Sequence, residues 1–194
     1  KVRNHFALRQ YLHTLRSHAL SSFETLTLET LKTPAMLRYL DNDQNKKGKP
    51  NENLGRELLE LFTVGIGQYS EQDVQESARA LTGWSAMNKG PQKRSDARFE
   101  FVFRVNEHDS GPKTVLGQRG NFKGQDVVRI TSAHPATPRF VGRKIWEAFV
   151  APDPSPEELE ALASIWEKSG GNLRQIMTAL LSSETFYSRR GAVI

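Results

Sequence analysis

A chain of 194 residues with 37% hydrophobic content can bury one sizeable core, and its lack of cysteine excludes disulfide staples and thiolate metal sites within it. No apolar run approaches the roughly 18 residues that a membrane-spanning helix needs, and no secretory signal is present. The net charge of +5 is uneven: residues 1–50 carry nine Lys or Arg against four Asp or Glu, and the rest carries eighteen of each, so any basic face lies toward the front.

From Val2 to about Ala19, Phe6, Leu8, Tyr11, Leu12 and Leu15 recur at helical spacing, opposite Arg3, Arg9, His13 and Arg16. Ser22 is placed to cap a second helix carrying Phe23, Leu26 and Leu31, and Thr33-Pro34 opens a third that runs to about Leu40. Residues 41–50 form a polar, Lys-rich loop without an apolar residue. The run from Asn51 to Phe62 then reads as a strongly amphipathic helix. At about 100° per residue, Leu54, Leu58, Leu61 and Phe62 share one arc, Glu52, Asn53, Arg56 and Glu60 the other, and Glu57 falls at the border.

Ser70-Glu71-Gln72-Asp73 resembles a capping box and opens a helix to about Thr82, which Gly83-Trp84 ends. Asn88 to Asp96 reads as a loop. Phe99, Phe101, Phe103 and Val105 alternate with other residues as in a half-buried strand, and Lys113 to Leu116 is its expected partner in a β-hairpin insertion spanning about residues 98–117. The last third returns to helices, at about residues 125–132 and 137–149, from Ser155-Pro156-Glu157-Glu158 to Gly170, and from an Asn172 cap to about Leu181. The expected fold is mainly α: an irregular multi-helix domain over residues 1–194 with one small antiparallel β-hairpin.

Two metal readings compete with structural ones. Asp41, Asp43, Asn45 and Glu52 occupy positions 1, 3, 5 and 12 of a calcium-loop template, but Lys46 stands where the turn-making Gly belongs and three lysines repel a cation. The structural reading of these residues is a solvated turn followed by a cap. Glu57 and Glu60 share a helix face and suit acid/base work or a divalent cation such as Ca²⁺, Mg²⁺ or Mn²⁺, with Zn²⁺ requiring an imidazole such as His108. Against that, Arg56 is spaced to bridge Glu52 and Glu60.

His108-Asp109 lies after the strand and before a Ser-Gly-Pro turn, where an oriented base or ligand is often displayed, with Lys113 nearby for an anion. The structural alternative is a turn hydrogen bond from Asp109 or Ser110 with His108 packed inward. His134 before Pro135 reads as a capping or packing residue, and Trp84, Trp146 and Trp166 as core residues, with a sugar platform as the other reading. No Ser-centred nucleophile elbow, phosphate-binding Gly loop or zinc-protease His pair occurs. The modest basic excess without a recognised module argues against nucleic acid as a partner.

A series of ordered segments carries a resemblance that runs over almost the whole chain. They are Leu15 to Leu20, Pro34 to Asn42 with the Asn51 to Phe62 helix, Glu71 to Val74, Ala78 to Trp84, His108 to Gly117, His134 to Thr137, and Leu180 to Tyr187. In these the chain resembles the bacterial family known as domain of unknown function 1800. The resemblance brings no established activity. It implies an exported protein, periplasmic or extracellular, whose partner is a neighbouring exported protein encoded beside it. It also implies that this chain, which starts at Lys1 and stops at Ile194, is an excised piece of a longer one. The expected function is a structural or partner-binding role. The alternative is a divalent-metal-dependent hydrolase built on the Glu57/Glu60 face and His108-Asp109, which needs those two regions to meet across a cleft.

Overall fold

The computed structural model describes residues 2, 4–90 and 98–188. Among them lie ten α-helices: α1 (His5–His18), α2 (Phe23–Leu31), α3 (Pro34–Tyr39), α4 (Asn53–Glu57), α5 (Glu71–Ala80), α6 (Gly124–Ser132), α7 (Thr137–Phe149), α8 (Pro156–Ser169), α9 (Leu173–Leu181) and α10 (Glu184–Ser188). Two small antiparallel sheets join β1 (Trp84–Asn88) to β2 (Phe99–Phe103) and β3 (Lys113–Val115) to β4 (Gln118–Gly120). The fold is mainly α, as the periodicity predicts. No helix of the described residues is long and apolar enough to cross a membrane.

The helix starts follow from local chemistry. Ser22, Thr33 and Asn172 each accept a backbone N–H of the turn they begin. Ser70 with Asp73, and Ser155 with Glu158, close reciprocal capping boxes, and Gly170 leaves α8 in the left-handed region at φ 62°.

Strand pairing differs from the sequence expectation. The Phe99 strand does not pair with Lys113–Leu116; it pairs with Trp84–Asn88, in the register Trp84 to Phe103 and Asn88 to Phe99. The segment Trp84-Ser85-Ala86-Met87-Asn88 hides its strand character because its first two residues are both buried, so no alternation shows. Trp84 packs edge-on against Phe101 with centroids 5.5 Å apart, and the Arg38 guanidinium lies 4.2 Å over Phe99. Lys113–Val115 instead turns back on itself: Leu116 and Gly117 have φ of 47° and 77°, the paired positive values of a tight two-residue hairpin. Of the expected 88–96 loop, residues 91–96 lie outside the described residues.

Two large apolar clusters and one small one make up the interior. The first gathers Leu31, Leu37, Leu54, Leu58, Leu81, Trp84 and Val127, and the second gathers Phe23, Trp146, Leu162, Trp166 and Ile176. All three tryptophans are therefore interior, and in α7 it is Trp146 that is buried while Phe149 is exposed. Helix α2 contributes to both large clusters, and backbone bonds from Phe23 N to Gly171 O (2.9 Å) and from Leu173 N to Ser21 O (3.0 Å) tie its start to the start of α9. The small cluster of Leu59, Val64 and Val74 sits on another side of the Asn51–Phe62 segment.

Candidate functional site

Burial on two sides reshapes the acidic helix. After α4 the chain widens into a π-helical turn over Leu58–Thr63, in which Val64 and Gly65 both donate to Leu59 O, at 3.1 and 3.0 Å. Leu54 and Leu58 enter the first cluster as the α-helical wheel predicts. Leu59, which the wheel places off the apolar arc, is fully buried in the small cluster, and Leu61, which it places on that arc, is 47% exposed.

The carboxylates on this segment have separate partners. Arg56 bonds Glu52 (3.1 Å) as its spacing predicts, but its second partner is Glu71 of α5, held at 2.8 and 2.7 Å through both carboxylate oxygens, and not Glu60. This grip raises the Arg56 guanidinium pKa and lowers that of Glu71. Glu60 accepts the Tyr69 hydroxyl at 2.8 Å; burial first, and then this carboxylate, push the Tyr69 phenol up. Glu57 is half-buried and makes no hydrogen bond or ion pair among the described residues.

The calcium-template residues have other tasks. Asn45 is buried; its Nδ2 donates to Ala78 O (2.9 Å) and Asn42 Oδ1 (3.1 Å), and its Oδ1 accepts Asn51 N (2.9 Å). Asn42 in turn donates to Trp84 O and Leu81 O. The two amides thus fasten the polar loop to the end of α5 and the start of β1. Asp41 takes a left-handed backbone at φ 55°, and Glu52 pairs with Arg56. Among the described residues no group of three or more His, Asp or Glu converges as a metal site requires.

His108 and Asp109 belong to an interior clasp. The His108 ring is 7% exposed and lies edge-on to Phe103; its Nδ1 is 3.0 Å from Thr82 O, a contact that requires the proton on Nδ1. Burial holds the imidazole pKa below its ordinary value, against the raising influence of the Thr82 carbonyl, and the Lys113 charge adds to the lowering. Asp109 Oδ2 accepts Arg79 Nε at 2.9 Å and Oδ1 accepts Gly111 N at 2.9 Å; the Arg79 hydrogen bond first, then Gly111, hold its carboxyl below the usual range despite desolvation. Lys113 is only 1% exposed, and its ammonium donates to the carbonyls of Asp109 and Gly111. It is thus turned inward and capped, not displayed for an anion.

The partner of this clasp is one face of α5. Asp73, Glu76 and Arg79 recur three apart, so they line up along that face. Asp73 Oδ1 accepts Leu116 N (2.7 Å), Glu76 Oε2 accepts Thr114 N (3.0 Å), and Arg79 joins Glu76 (2.8 Å) to Asp109. Alternate N–H groups of the β3 edge are thereby satisfied by side chains while the other edge pairs with β4. The three-residue spacing of Asp73, Glu76 and Arg79 is legible in the sequence, although only the fold shows what it meets.

An open cleft lies on the other side of the π-helical turn. It encloses about 680 Å³ between that turn with its Gly65–Gly67 exit and the start of α7, and Glu60, Ile66, His134, Arg139, Phe140 and Lys144 are on its walls. Gly65 makes the wall possible. Its φ is 83°, and a Cβ there would come within 2.6 Å of the Phe140 ring. His134 Nδ1 accepts Ala136 N at 3.2 Å, which leaves the ring proton on Nε2, and burial lowers this imidazole's pKa while Asp73 opposes that shift. Lys144 lies 4.8 Å over the Phe140 ring, and Arg139 pairs with the exposed Glu160. The predicted residues therefore divide: Glu60 and His134 share the cleft, whereas His108 and Asp109 are in the clasp. No hydrogen bond or ion pair among the described residues joins Glu57 or Glu60 to His108 or Asp109.

Apart from Leu15 to Leu20 and Leu180 to Tyr187, the segments that carry the resemblance fall on or beside these parts: the amide-rich loop, the π-widened helix, α5, the clasp and the His134 turn. The family model described as Protein of unknown function (DUF1800) matches residues 1–194. The chain belongs to this family. No curated protein and no solved structure matches the chain. What the DUF1800 fold does must therefore be read from its own surfaces.

Proposed function

We propose that this DUF1800 chain is a partner-binding domain of an exported protein, with the cleft beside the π-helical turn as its contact surface. The observation that carries this reading is the exposure of Ile66 (76%) and Leu61 (47%) at that turn. Two large aliphatic side chains beside one concavity gain from being covered, at roughly 25 cal/mol per Å² of apolar surface removed from water. The groups best suited to chemistry support the same reading, since Asp109 and Lys113 spend their polar atoms on the clasp. The metal-hydrolase alternative keeps one observation in its favour, the half-buried Glu57 carboxylate without a protein partner among the described residues.

The test is site-specific photo-crosslinking in the producing cell, with a photoreactive residue at Ile66 and, as a control, at the exposed Gln175 of α9. A discrete adduct from position 66 alone, in a non-cytoplasmic fraction, is expected. Equal adducts from both positions, none from position 66, or recovery of the protein only in the cytoplasm would contradict the proposal.

A further inference from the structure

The cleft carries more cationic than anionic side chains, and the imbalance points to its occupant. Its one carboxylate, Glu60, already accepts the Tyr69 hydroxyl. The remaining charged side chains are the cations Arg139 and Lys144, joined by the imidazole of His134 and the uncharged amide of Gln68. Lys144 makes no ion pair among the described residues and rests on the Phe140 ring. Arg139 holds Glu160, but both are about half exposed, and such a pair contributes little and exchanges readily. His134 uses Nδ1 to accept Ala136 N, so its Nε2–H remains for another acceptor. Two cations, one without an ion pair among the described residues and one held only by an exposed carboxylate, thus stand near the exposed Leu61 and Ile66.

Building on the partner-binding reading, we infer that the cleft receives an acidic peptide segment of the partner, with an apolar side chain against Leu61, Ile66 and Phe140 and a neighbouring Asp or Glu carboxylate at Lys144 and Arg139. A carboxylate meets the ammonium and the forked guanidinium on equal terms, while the adjacent apolar residue covers surface that a simple anion leaves exposed. Glu60, tied to Tyr69, disfavours a second acidic group on the opposite wall. Glu160 acts as an internal competitor for Arg139.

The test is heteronuclear NMR of the full 194-residue chain titrated with an acetylated, amidated nonapeptide alternating Leu and Glu. Parallel titrations use its Gln-for-Glu and Ser-for-Leu versions, polyglutamate and inorganic polyphosphate. Saturable shifts confined to residues 60–68 and 134–144 are expected for the Leu/Glu peptide. Both altered peptides and the chain variants Lys144→Glu and Ile66→Asp should bind at least about tenfold more weakly, and Glu160→Gln a few-fold more tightly. An unchanged thermal midpoint shows that the variants keep the fold.

Equal binding of the Gln-for-Glu peptide would overturn the acidic occupant while leaving the cleft as a docking surface. Polyphosphate or polyglutamate binding as tightly as the nonapeptide would replace the peptide with a plain polyanion. Absence of any cleft response would also overturn the inference, and the Ile66 crosslink then decides separately whether the docking reading survives.

Discussion

Arg79 Nε reaches across thirty residues of sequence to donate to Asp109 Oδ2 at 2.9 Å, while its Nη1 holds Glu76 at 2.8 Å. One guanidinium on α5 therefore fixes both the turn after β2 and the carboxylate that satisfies the edge of β3. Asp109→Asn should cost about 1–3 kcal/mol, the range for a partly buried hydrogen bond to a charged group, measured by urea unfolding at neutral pH. The Asp109 pKa is lowered in the fold, so its stabilisation is full above about pH 4, the unfolded carboxylate value, and is lost as pH falls through the folded value. The gap between wild type and variant should close in that acid range.

Asn45→Asp separates the two readings of the polar loop. Aspartate cannot donate to Ala78 O, so the substitution leaves a buried carbonyl without its partner and places a charge in an interior site. A loss of about 2–4 kcal/mol is expected, with no gain in calcium affinity by calorimetry. A calcium loop would respond in the opposite way, because the added carboxylate strengthens a cation site.

His108 makes the fold sensitive to mild acid. Its pKa is lowered on folding, so the unfolded chain takes up the proton first. Stability is full above the unfolded imidazole value of about 6.5 and declines as pH falls from there through the folded value. His134 shifts in the same direction and adds to the slope. His108→Phe should lower stability at pH 8, by removing the bond to Thr82 O, yet flatten the decline below about pH 6.5. Urea midpoints across that range check both halves.

Glycine substitutions should rank by what surrounds them. Gly83 has φ of 82°, and a Cβ there would lie 2.6 Å from the carbonyl oxygen of Arg104, a backbone atom that already bonds Glu107 N. Gly83→Ala should cost more than about 2 kcal/mol. Gly48 has a similar φ of 81° but open space around it, so Gly48→Ala should cost about 1 kcal/mol. Thermal or urea denaturation distinguishes the two.

Features set by neighbours in the chain are the legible ones. The Ser70/Asp73 and Ser155/Glu158 boxes, the Pro34 and Pro156 starts and the Gly170 stop each depend on residues within one helical turn. The partner of the Phe99 strand depends on Trp84–Asn88, whose first two residues are both buried, so the alternation that marks a strand does not show. The cleft was less visible still. A single π-helical turn moves Leu61 outward and Leu59 inward, and a regular 3.6-residue period contains no trace of it. His134, read as a packing or capping residue, does accept the Ala136 N–H, and the same bond leaves the ring proton on its other nitrogen.

Docking and a metal on the Glu57/Glu60 face are told apart by titrating the isotopically labelled chain with Ca²⁺, Mg²⁺, Mn²⁺ and Zn²⁺. The amides of residues 41–60 and 108–113 are the ones to follow, with Glu57→Gln as the control. A domain that works by docking gives no localised, saturable response in either region at millimolar metal. Shifts or paramagnetic broadening in both regions, abolished by Glu57→Gln, would contradict docking and establish the hydrolase reading as the one to pursue.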